Sequence, residues 1–286
     1  MRAIAAAFLC LCLTVGCDKK SEKETLPAEQ RLLTFADDDA FLDYIQRTHL
    51  NYMWDGAEPT SGLAPERIHI DGIYPQNDAD VVTTGGSGFG LAGLLVAVER
   101  GFIPRDTCVG RLHRIVDYLA RADRFHGVWP HWIYGKTGKV KPFSSKDDGG
   151  DLVESAFLMQ GLLCVREYFK EGNASERALA QKIDTLWHAM EWDWYLNGKD
   201  VLYWHWSPTH EWQMNFPLEG YNECLITYIL AASSPTHPIP ASAYHNGWAR
   251  GGGIRSESVA YGLPLRVKHN GAEGYGGPLF WAHYSY

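Results

Sequence analysis

The sequence predicts an all-α protein, an (α/α)6 toroid that is incomplete in this chain, with short β-hairpins in its long loops. Three helix-length segments are apolar on every face and follow glycine-rich polar residues: 89–98, 152–165 and 224–232. A helix that is apolar all round is a buried helix. The segments 105–122 and 175–190 are amphipathic, which is typical of outer helices with one wet face. This alternation indicates an inner and an outer ring of helices.

The remaining helices are predicted from shorter signals. A leading helix is expected at 38–54 and a later one at 241–248, and a glycine-rich stretch at 274–277 precedes the apolar residues 278–281. The total is about eight helices, whereas a closed ring of six helical hairpins needs twelve. We therefore expect a chain that is truncated at its C-terminus, and a smaller helical bundle of native length is the alternative.

The spacing of the glycine-rich starts and the loops between the helices complete this pattern. Gly86, Gly150 and Gly220 are 64 and 70 residues apart, which fits one helical hairpin plus a long loop. The loop segments 127–132 and 201–208 alternate bulky aromatic residues, and this favours short hairpins. Loops of this length in a compact domain are usually functional.

The N-terminal residues have the pattern of a bacterial lipoprotein leader. Arg2 precedes an apolar run, and Gly16 precedes Cys17, which predicts a signal peptide at 1–16. The apolar run is too short to span a bilayer. The charged residues that follow predict a flexible tether at 17–34.

Three expectations about location follow from this leader. The folded domain should occupy residues 35–286, and Cys17 should carry the lipid anchor that is the protein's only contact with the membrane. The protein should then be a monomeric periplasmic or outer-membrane-anchored lipoprotein of a Gram-negative bacterium.

Composition and cysteine content exclude several function classes. With 26 Lys and Arg against 34 Asp and Glu, the chain has a net charge of −8, which argues against binding to a nucleic-acid backbone. The domain keeps Cys108, Cys164 and Cys224, too few for a disulfide framework. We expect Cys164 and Cys224 to be small hydrophobes in apolar helices. No metal motif occurs, so neither a metal nor a cofactor is predicted.

The acidic residues carry the strongest functional signal. Asp147, Asp151 and Glu154 share a face if the helix begins near Gly150, and they precede its apolar residues. Carboxylates are rarely buried without partners or work to do. A structural alternative is a capping box of Asp151 and Glu154. Glu223 repeats the arrangement before the next buried helix, so parallel inner helices would bring these acids to one opening, as glycoside hydrolysis requires.

Aromatic residues favour a saccharide substrate. The chain has 11 Trp and 15 Tyr, more than a helical core needs, although for any single Trp the core is the better interpretation. Flat rings stack on sugar faces while neighbouring polar groups bind hydroxyls. The predicted substrate-binding residues are Trp54, Arg67, His131, Trp132, Tyr203, Trp204, His205, Trp206 and Tyr221.

At these residues the sequence resembles the glucoamylase-like domain family, including the endo-β-1,2-glucanases of glycoside hydrolase family 144. The matching stretches are YMWDG (52–56), SGLAPER (61–67), TTGGSGFGLAG (83–93), KDDGGDLVE (146–154), YWHWSP (203–208) and GYNE (220–223). The resemblance implies an (α/α)6 barrel and inverting cleavage of β-1,2-glucan or a related β-glucoside. Members of the family continue for well over a hundred residues beyond the point where this chain stops.

The resemblance also implies roles for the acids. Asp147, Asp151, Glu154 and Glu223 look like the functionally important acids of the cleft, with Glu223 as general acid, Asp151 or Asp147 positioning water, and Glu154 holding the network. We expect the acid and base to lie roughly 6.5–9.5 Å apart. Two alternatives remain: a non-catalytic glycan-binding surface lipoprotein, and a polysaccharide lyase, whose acidic substrate the acid-rich opening would repel.

Overall fold

The computed structural model describes residues 33–269, 272 and 276–285. The predicted signal peptide, Cys17 and all but the last two residues of the predicted tether lie outside the described residues. Within the described ranges, no helix has both the length and the apolar character needed to cross a membrane. The chain divides into two compact units, residues 1–41 and 42–286. In the described part of the first unit, the rings of Phe35 and Phe41 are 5.2 Å apart.

Among the described residues the protein is mostly helical and has eight α-helices, as the sequence predicts. In chain order they are α1 (Asp38–Trp54), α2 (Thr84–Glu99), α3 (Arg105–Arg121), α4 (Leu152–Phe169), α5 (Ala174–His188), α6 (Leu225–Ser233), α7 (Ala241–Asn246) and α8 (Leu279–Tyr284). Short 3-10 helices occupy Trp192–Leu196 and Arg250–Gly252.

Short strands form three small antiparallel sheets. The strands are β1 (Val81–Thr83), β2 (Trp132–Tyr134), β3 (Val140–Lys141), β4 (Gly150–Asp151), β5 (His205–Trp206), β6 (Val259–Ala260) and β7 (Leu263–Pro264). The order is β1-β2-β3 in the first sheet, while β4 pairs with β5 and β6 with β7. Asp151 faces His205 in the β4–β5 register, so this ladder joins the start of α4 to a loop more than 50 residues away.

The two amphipathic helices form for reasons that are visible in the sequence. In α5 a capping box closes the first turn: Asn173 accepts from the Glu176 N–H, and the Glu176 carboxylate accepts from the Asn173 N–H. Leu179 and Ile183 lie on its buried face. α3 similarly buries one face and packs against α5, and α5 packs against α4.

The apolar helices α2 and α4 pack with direct backbone contact. A methyl group at Gly88 would overlap the backbone of Phe157, and one at Gly161 would overlap the backbone of Gly88. Nearer the N-terminus of both helices, Gly85 lies against Glu154. Residue numbers rise together along the contact, so α2 and α4 run in the same direction. The glycines at the start of α2 thus allow the backbones of the two helices to approach closely.

The core continues from this contact to both sides. α4 also packs against α6, and α6 against α7. The buried indole of Trp129 donates from Nε1 to the Leu119 carbonyl at 3.1 Å. The hydroxyl of the buried Tyr228 accepts from the Leu202 N–H and donates to the Leu218 carbonyl. These polar contacts fix the loops that surround the start of α6.

Three expectations about the helices are corrected. α4 begins at Leu152 rather than near Gly150, so Asp147 lies in the preceding loop and not on the helix face. The predicted helix at 224–232 begins at Leu225, and Glu223 lies before its first turn. Cys164 is exposed rather than buried, whereas Cys224 is a buried free thiol as expected, and Cys108 is also buried. The sequence pattern gives the apolarity of a helix but not which face a neighbour covers.

The aromatic loops also differ from expectation. Trp132 opens β2, which pairs with β1 and β3, and β5 pairs with β4. The segment 127–132 leads into a short hairpin, β2–β3, as expected, and this hairpin also pairs with the distant β1. The segment 201–208 does not form its own hairpin, because its strand β5 pairs with the distant β4. Strands of two or three residues have too few side chains to reveal their partners.

Candidate active site

A cavity of about 330 Å³ lies where α4 and the segment before α6 begin. Asp151 and Glu154 line it from the α4 side, and Glu223 lines it from the α6 side. The loop that carries Trp204 forms another wall. Two elements that are distant in sequence therefore bring these three carboxyl groups, together with that of Glu219, to one cavity.

Asp151 is the most constrained of these acids. Its side chain is fully buried, and Oδ1 accepts hydrogen bonds from the N–H groups of Val153 and Glu154 at 3.0 and 2.9 Å. Asp151 is therefore the N-cap of α4, as the capping alternative predicts. The reciprocal half of a capping box is absent, because the Asp151 N–H donates instead to the Trp129 carbonyl at 2.9 Å, while the Glu154 carboxylate lies against Gly85 of α2.

His131 holds the other oxygen of Asp151. Its Nδ1 lies 2.7 Å from Asp151 Oδ2. Burial alone would lower the pKa of His131, but the hydrogen bond to Asp151 and the negative charges of Asp151, Glu154 and Asp147 outweigh it and raise the pKa to about 9. His131 is therefore a cation at neutral pH, and it donates to the Asp151 carboxylate.

The two glutamates hold their protons more tightly than usual. Burial and the charge of Asp151 raise the pKa of Glu154 to about 7, against the opposing effects of His131 and the Gly85 N–H. Burial and the same Asp151 charge also raise the pKa of Glu223, which His269 opposes. Two carboxyl groups with raised pKa values thus flank a buried Asp151 that His131 and helix N–H groups hold.

Asp147 lies behind the cavity wall in a second buried pair. Its Oδ1 is 3.1 Å from Nε2 of His205, which also accepts from the Gly149 N–H at 3.2 Å. Asp147 is 1% exposed, and within the part of the chain that the structure describes neither its Oδ2 nor His205 Nδ1 has a hydrogen-bond partner. Asp147 and His205 are predicted site residues that contact each other and do not line the cavity.

One group of described side chains could hold a cation. His131, Asp147 and Asp151 each offer a ligand atom, and these atoms lie within 4.8 Å of one another. Both oxygens of Asp151 already accept hydrogen bonds, so a cation would have to compete with His131 for this carboxylate.

The other predicted substrate-binding residues differ in whether they line the cavity. His131, Trp204 and Tyr221 line the cavity. Trp132 and Arg67 lie beyond it: the Trp132 ring contacts the His131 ring edge-on, and the Arg67 guanidinium lies 5.6 Å from the centre of the Trp132 ring.

The remaining three predicted residues do not line the cavity. Trp54 packs under the guanidinium of Arg111 at 4.2 Å, and its carbonyl accepts from the same side chain. Tyr203 contacts Trp212, and Trp206 lies against His126. The sequence thus did not distinguish the aromatic residues that line the cavity from those that pack elsewhere.

Several lining residues were not found from the sequence. They are Val153, Phe216, Pro217, Leu218, Glu219, Asn222, Cys224, His269 and Trp281. His269 and Trp281 contact each other edge-on at 4.5 Å between ring centres. Trp281 lies in the aromatic run at 280–286, where aromatic composition was the only sequence signal for a binding role. No pattern near His269 in the sequence marked it as a lining residue.

Residues 215–286 match the Glycoamylase family model, which describes glucoamylases. The exo β-1,2-glucooligosaccharide sophorohydrolase (non-reducing end) of Parabacteroides distasonis is 40% identical over 94% of this chain and 38% of its own length.

Solved structures give the same relationship over most of the chain. The endo-β-1,2-glucanase of Chitinophaga pinensis, in complex with sophorotriose and glucose, is 61% identical with a TM-score of 0.86 over 88% of this chain and 60% of its own. The β-1,2-glucanase of Parabacteroides distasonis is 40% identical with a TM-score of 0.80 over 90% of this chain and 38% of its own. This chain thus spans between about two fifths and three fifths of these relatives. The matches confirm the predicted resemblance: the chain is a relative of the glucoamylase-like proteins and the β-1,2-glucanases.

Proposed function

We propose that the chain is part of an (α/α)6 toroid with a glycoside hydrolase site that cleaves β-1,2-glucan or a related β-glucoside with inversion. The observation that carries this proposal is the pair of glutamates with raised pKa values beside the buried Asp151 in one cavity. A glycosidase needs one protonated carboxyl group and one ionised carboxylate flanking the bond. The names of the similar enzymes support β-1,2-glucan as the substrate class.

The residues divide the work as follows. Burial and the Asp151 charge raise the pKa of Glu223, which favours its protonated form, and Glu223 donates this proton to the leaving oxygen. Of the two predicted candidates for the base, Asp151 lines the cavity and Asp147 does not, so Asp151, held in place by His131, positions the attacking water as base. Glu154 holds the network between Asp151 and the α2 backbone. Trp204 and Tyr221 line the cavity and bind the glucosyl rings.

The decisive test is hydrolysis of a panel of β-1,2-, β-1,3- and β-1,4-glucans with NMR detection of the anomeric configuration of the products. Glu223→Gln keeps the shape of the side chain and removes the proton donor, so turnover should fall about 10²- to 10⁴-fold while oligosaccharide binding survives.

Glu191→Gln is the matched control, because Glu191 pairs with His126 and does not line the cavity. Unchanged turnover in Glu223→Gln would contradict the assignment of the acid. Binding without turnover in the parent protein would favour the non-catalytic glycan-binding alternative.

We also propose that Cys17 carries a lipid after removal of residues 1–16, which places a monomeric protein at the periplasmic face of a membrane or at the outer membrane. The support is the sequence pattern of Arg2, the apolar run and Gly16. Mass spectrometry of the mature protein should find a diacylglyceryl group on Cys17, and Cys17→Ser should release the protein into the soluble fraction. An unmodified Cys17 in the expressed protein would contradict this.

A further inference from the structure

Phe143 is an exposed aromatic residue at the edge of the cavity, in the loop between β3 and β4. Its side chain is 42% exposed. One face stacks on the ring of His131 with centres 4.1 Å apart and planes at 26°. The rings of Trp132 and Trp204 lie at steep angles to it, with centres 4.9 and 6.4 Å away. Because His131 covers one face and the side chain is still 42% exposed, part of the ring away from His131 is open to solvent.

The loop that carries Phe143 is held in place. The Phe143 N–H donates to the Asp147 carbonyl, and the Asp147 N–H donates to the Ser144 carbonyl, both at 3.1 Å. Asp147 is in turn fixed by its buried contact with His205. The turn that carries Phe143 is thus held by a buried contact. Because the turn is already ordered, little conformational entropy is lost when a ligand stacks on Phe143.

The small volume of the cavity indicates a role for the exposed part of Phe143 in binding a longer saccharide. At about 330 Å³ the cavity is at the small end of the range of ligand sites. It accommodates a short saccharide segment, so a longer chain must cross the rim. On the side of His131 and Trp204, which line the cavity, the rim continues through Phe143 to Trp132 and the guanidinium of Arg67.

We propose that Phe143 and Trp132 form an outer platform that binds a glucosyl unit of the chain after it leaves the cavity. The proposal rests on the proposed saccharide substrate and adds a subsite to it. The C–H face of a β-glucosyl ring stacks on the open part of Phe143. The Arg67 guanidinium lies 5.6 Å from the centre of the Trp132 ring and is held by Glu66 through Nε and Nη2, so its remaining N–H groups can donate to hydroxyl groups. Such a platform favours long oligosaccharides over short ones.

The test measures binding by calorimetry with β-1,2-linked gluco-oligosaccharides of two to seven units, in the Glu223→Gln protein so that no turnover interferes. Phe143→Leu keeps the packing against His131 and removes the flat face. It should weaken binding of the longest oligosaccharides about 5- to 10-fold and leave the disaccharide unchanged. Phe143→Trp should restore the dependence on length.

A matched control comes from a similar ring elsewhere. Trp194 is 39% exposed and stacks on His126 at 3.7 Å, but it does not line the cavity. Trp194→Leu should leave binding of every length unchanged. Equal affinities of the parent and Phe143→Leu at all lengths would overturn the platform, and so would an equal loss at all lengths, because that result assigns Phe143 to the support of His131. Absence of any binding by the parent would instead remove the proposed saccharide function.

Discussion

Two histidines in this protein pair with a carboxylate beneath a half-exposed aromatic ring. His131 contacts Asp151 at 2.7 Å beneath Phe143, and His126 contacts Glu191 at 2.9 Å beneath Trp194. The pairs differ in burial, since the Asp151 side chain is fully buried whereas that of Glu191 is 39% exposed.

The pairs also differ in their surroundings. Asp151 caps α4, and its charge raises the pKa values of Glu154 and Glu223 across the cavity. The pair of His126 does not line the cavity. The comparison teaches that a hydrogen-bonded His and carboxylate shift the pKa values of other groups when the pair is buried and has further titratable neighbours. The pairing alone does not produce this effect.

The largest expected difference between the pairs is in stability. Asp151→Ala removes the cap of α4 and leaves a buried His131 without its partner, so the free energy of unfolding should fall by about 3–5 kcal/mol. Glu191→Ala, at an exposed pair, should lower it by less than about 1 kcal/mol. Urea unfolding at pH 7 measures both. Similar losses in the two variants would mean that burial does not distinguish the pairs.

Two glycines of α2 provide a second test of the packing around the buried Asp151 pair. A methyl group at Gly85 would overlap the Glu154 carboxylate, so Gly85→Ala should destabilise the protein by about 1–3 kcal/mol and shift the titration of Glu154. Gly93 lies in the same helix, and its methyl group would meet nothing within 4 Å. Gly93→Ala should therefore stabilise the protein by about 0.5–1 kcal/mol. Thermal unfolding that ranks the two variants in the opposite order would contradict the close approach.

The dependence of stability on pH should show the buried charges separately. Glu154 keeps its proton in the folded state up to a pKa of about 7, above the usual 4.5, so its contribution to stability falls as pH rises through this window. The pKa of His131 rises from 6.5 to about 9, so its contribution is complete below 6.5 and is lost as pH rises through 9.

Both effects have the same sign, and two variants separate them. Glu154→Gln should remove the decrease between about pH 4.5 and 7, and His131→Gln the decrease between about pH 6.5 and 9. The measurement is the free energy of unfolding from urea titrations across this range. A parent and a Glu154→Gln variant with parallel curves below pH 7 would show that Glu154 titrates normally.

The smallest expected effect concerns salt. Charges at an exposed pair are screened within about 3 Å at 1 M salt, whereas buried pairs are screened much less. The small loss in Glu191→Ala should therefore disappear in 1 M NaCl, while the loss in Asp151→Ala persists. Repeating the urea titrations with and without NaCl tests this, and loss of the Asp151→Ala effect in salt would indicate a solvated site.

The helices were largely predictable because their signals are local. The predicted helix 38–54 has the bounds of α1, and 105–122 ends one residue after α3. The start of α4 coincides with that of the predicted apolar segment 152–165, and the side chain of Asp151 satisfies the first N–H groups, so Asp151 is the cap, as the capping alternative predicts, rather than a helical residue. Short hairpins were predicted and occur as β2–β3 and β6–β7, whereas the β1–β2 and β4–β5 pairings were missed because the partners are distant in sequence.

The site was predictable to the extent that helix starts converge. Glu154 and Glu223 line one cavity, as parallel inner helices imply, and Asp151 lies with them. The position of Asp147 behind the wall depends on a buried contact with His205 that no spacing reveals. Phe143 had no signal, because its exposure is set by the packing of His131, Trp132 and Trp204 around it.

The pairing of β4 with β5 has a consequence for the order of folding. Gly149 and His205, which meet at this ladder, are 56 residues apart, and the cavity also needs Glu223 from still further along the chain. Closing loops of this length is slow relative to forming α4 and α5, whose contacts are local. We therefore expect the acidic cavity to assemble last, so that an early folding intermediate would already have its helical secondary structure and still lack the capacity to bind sugar.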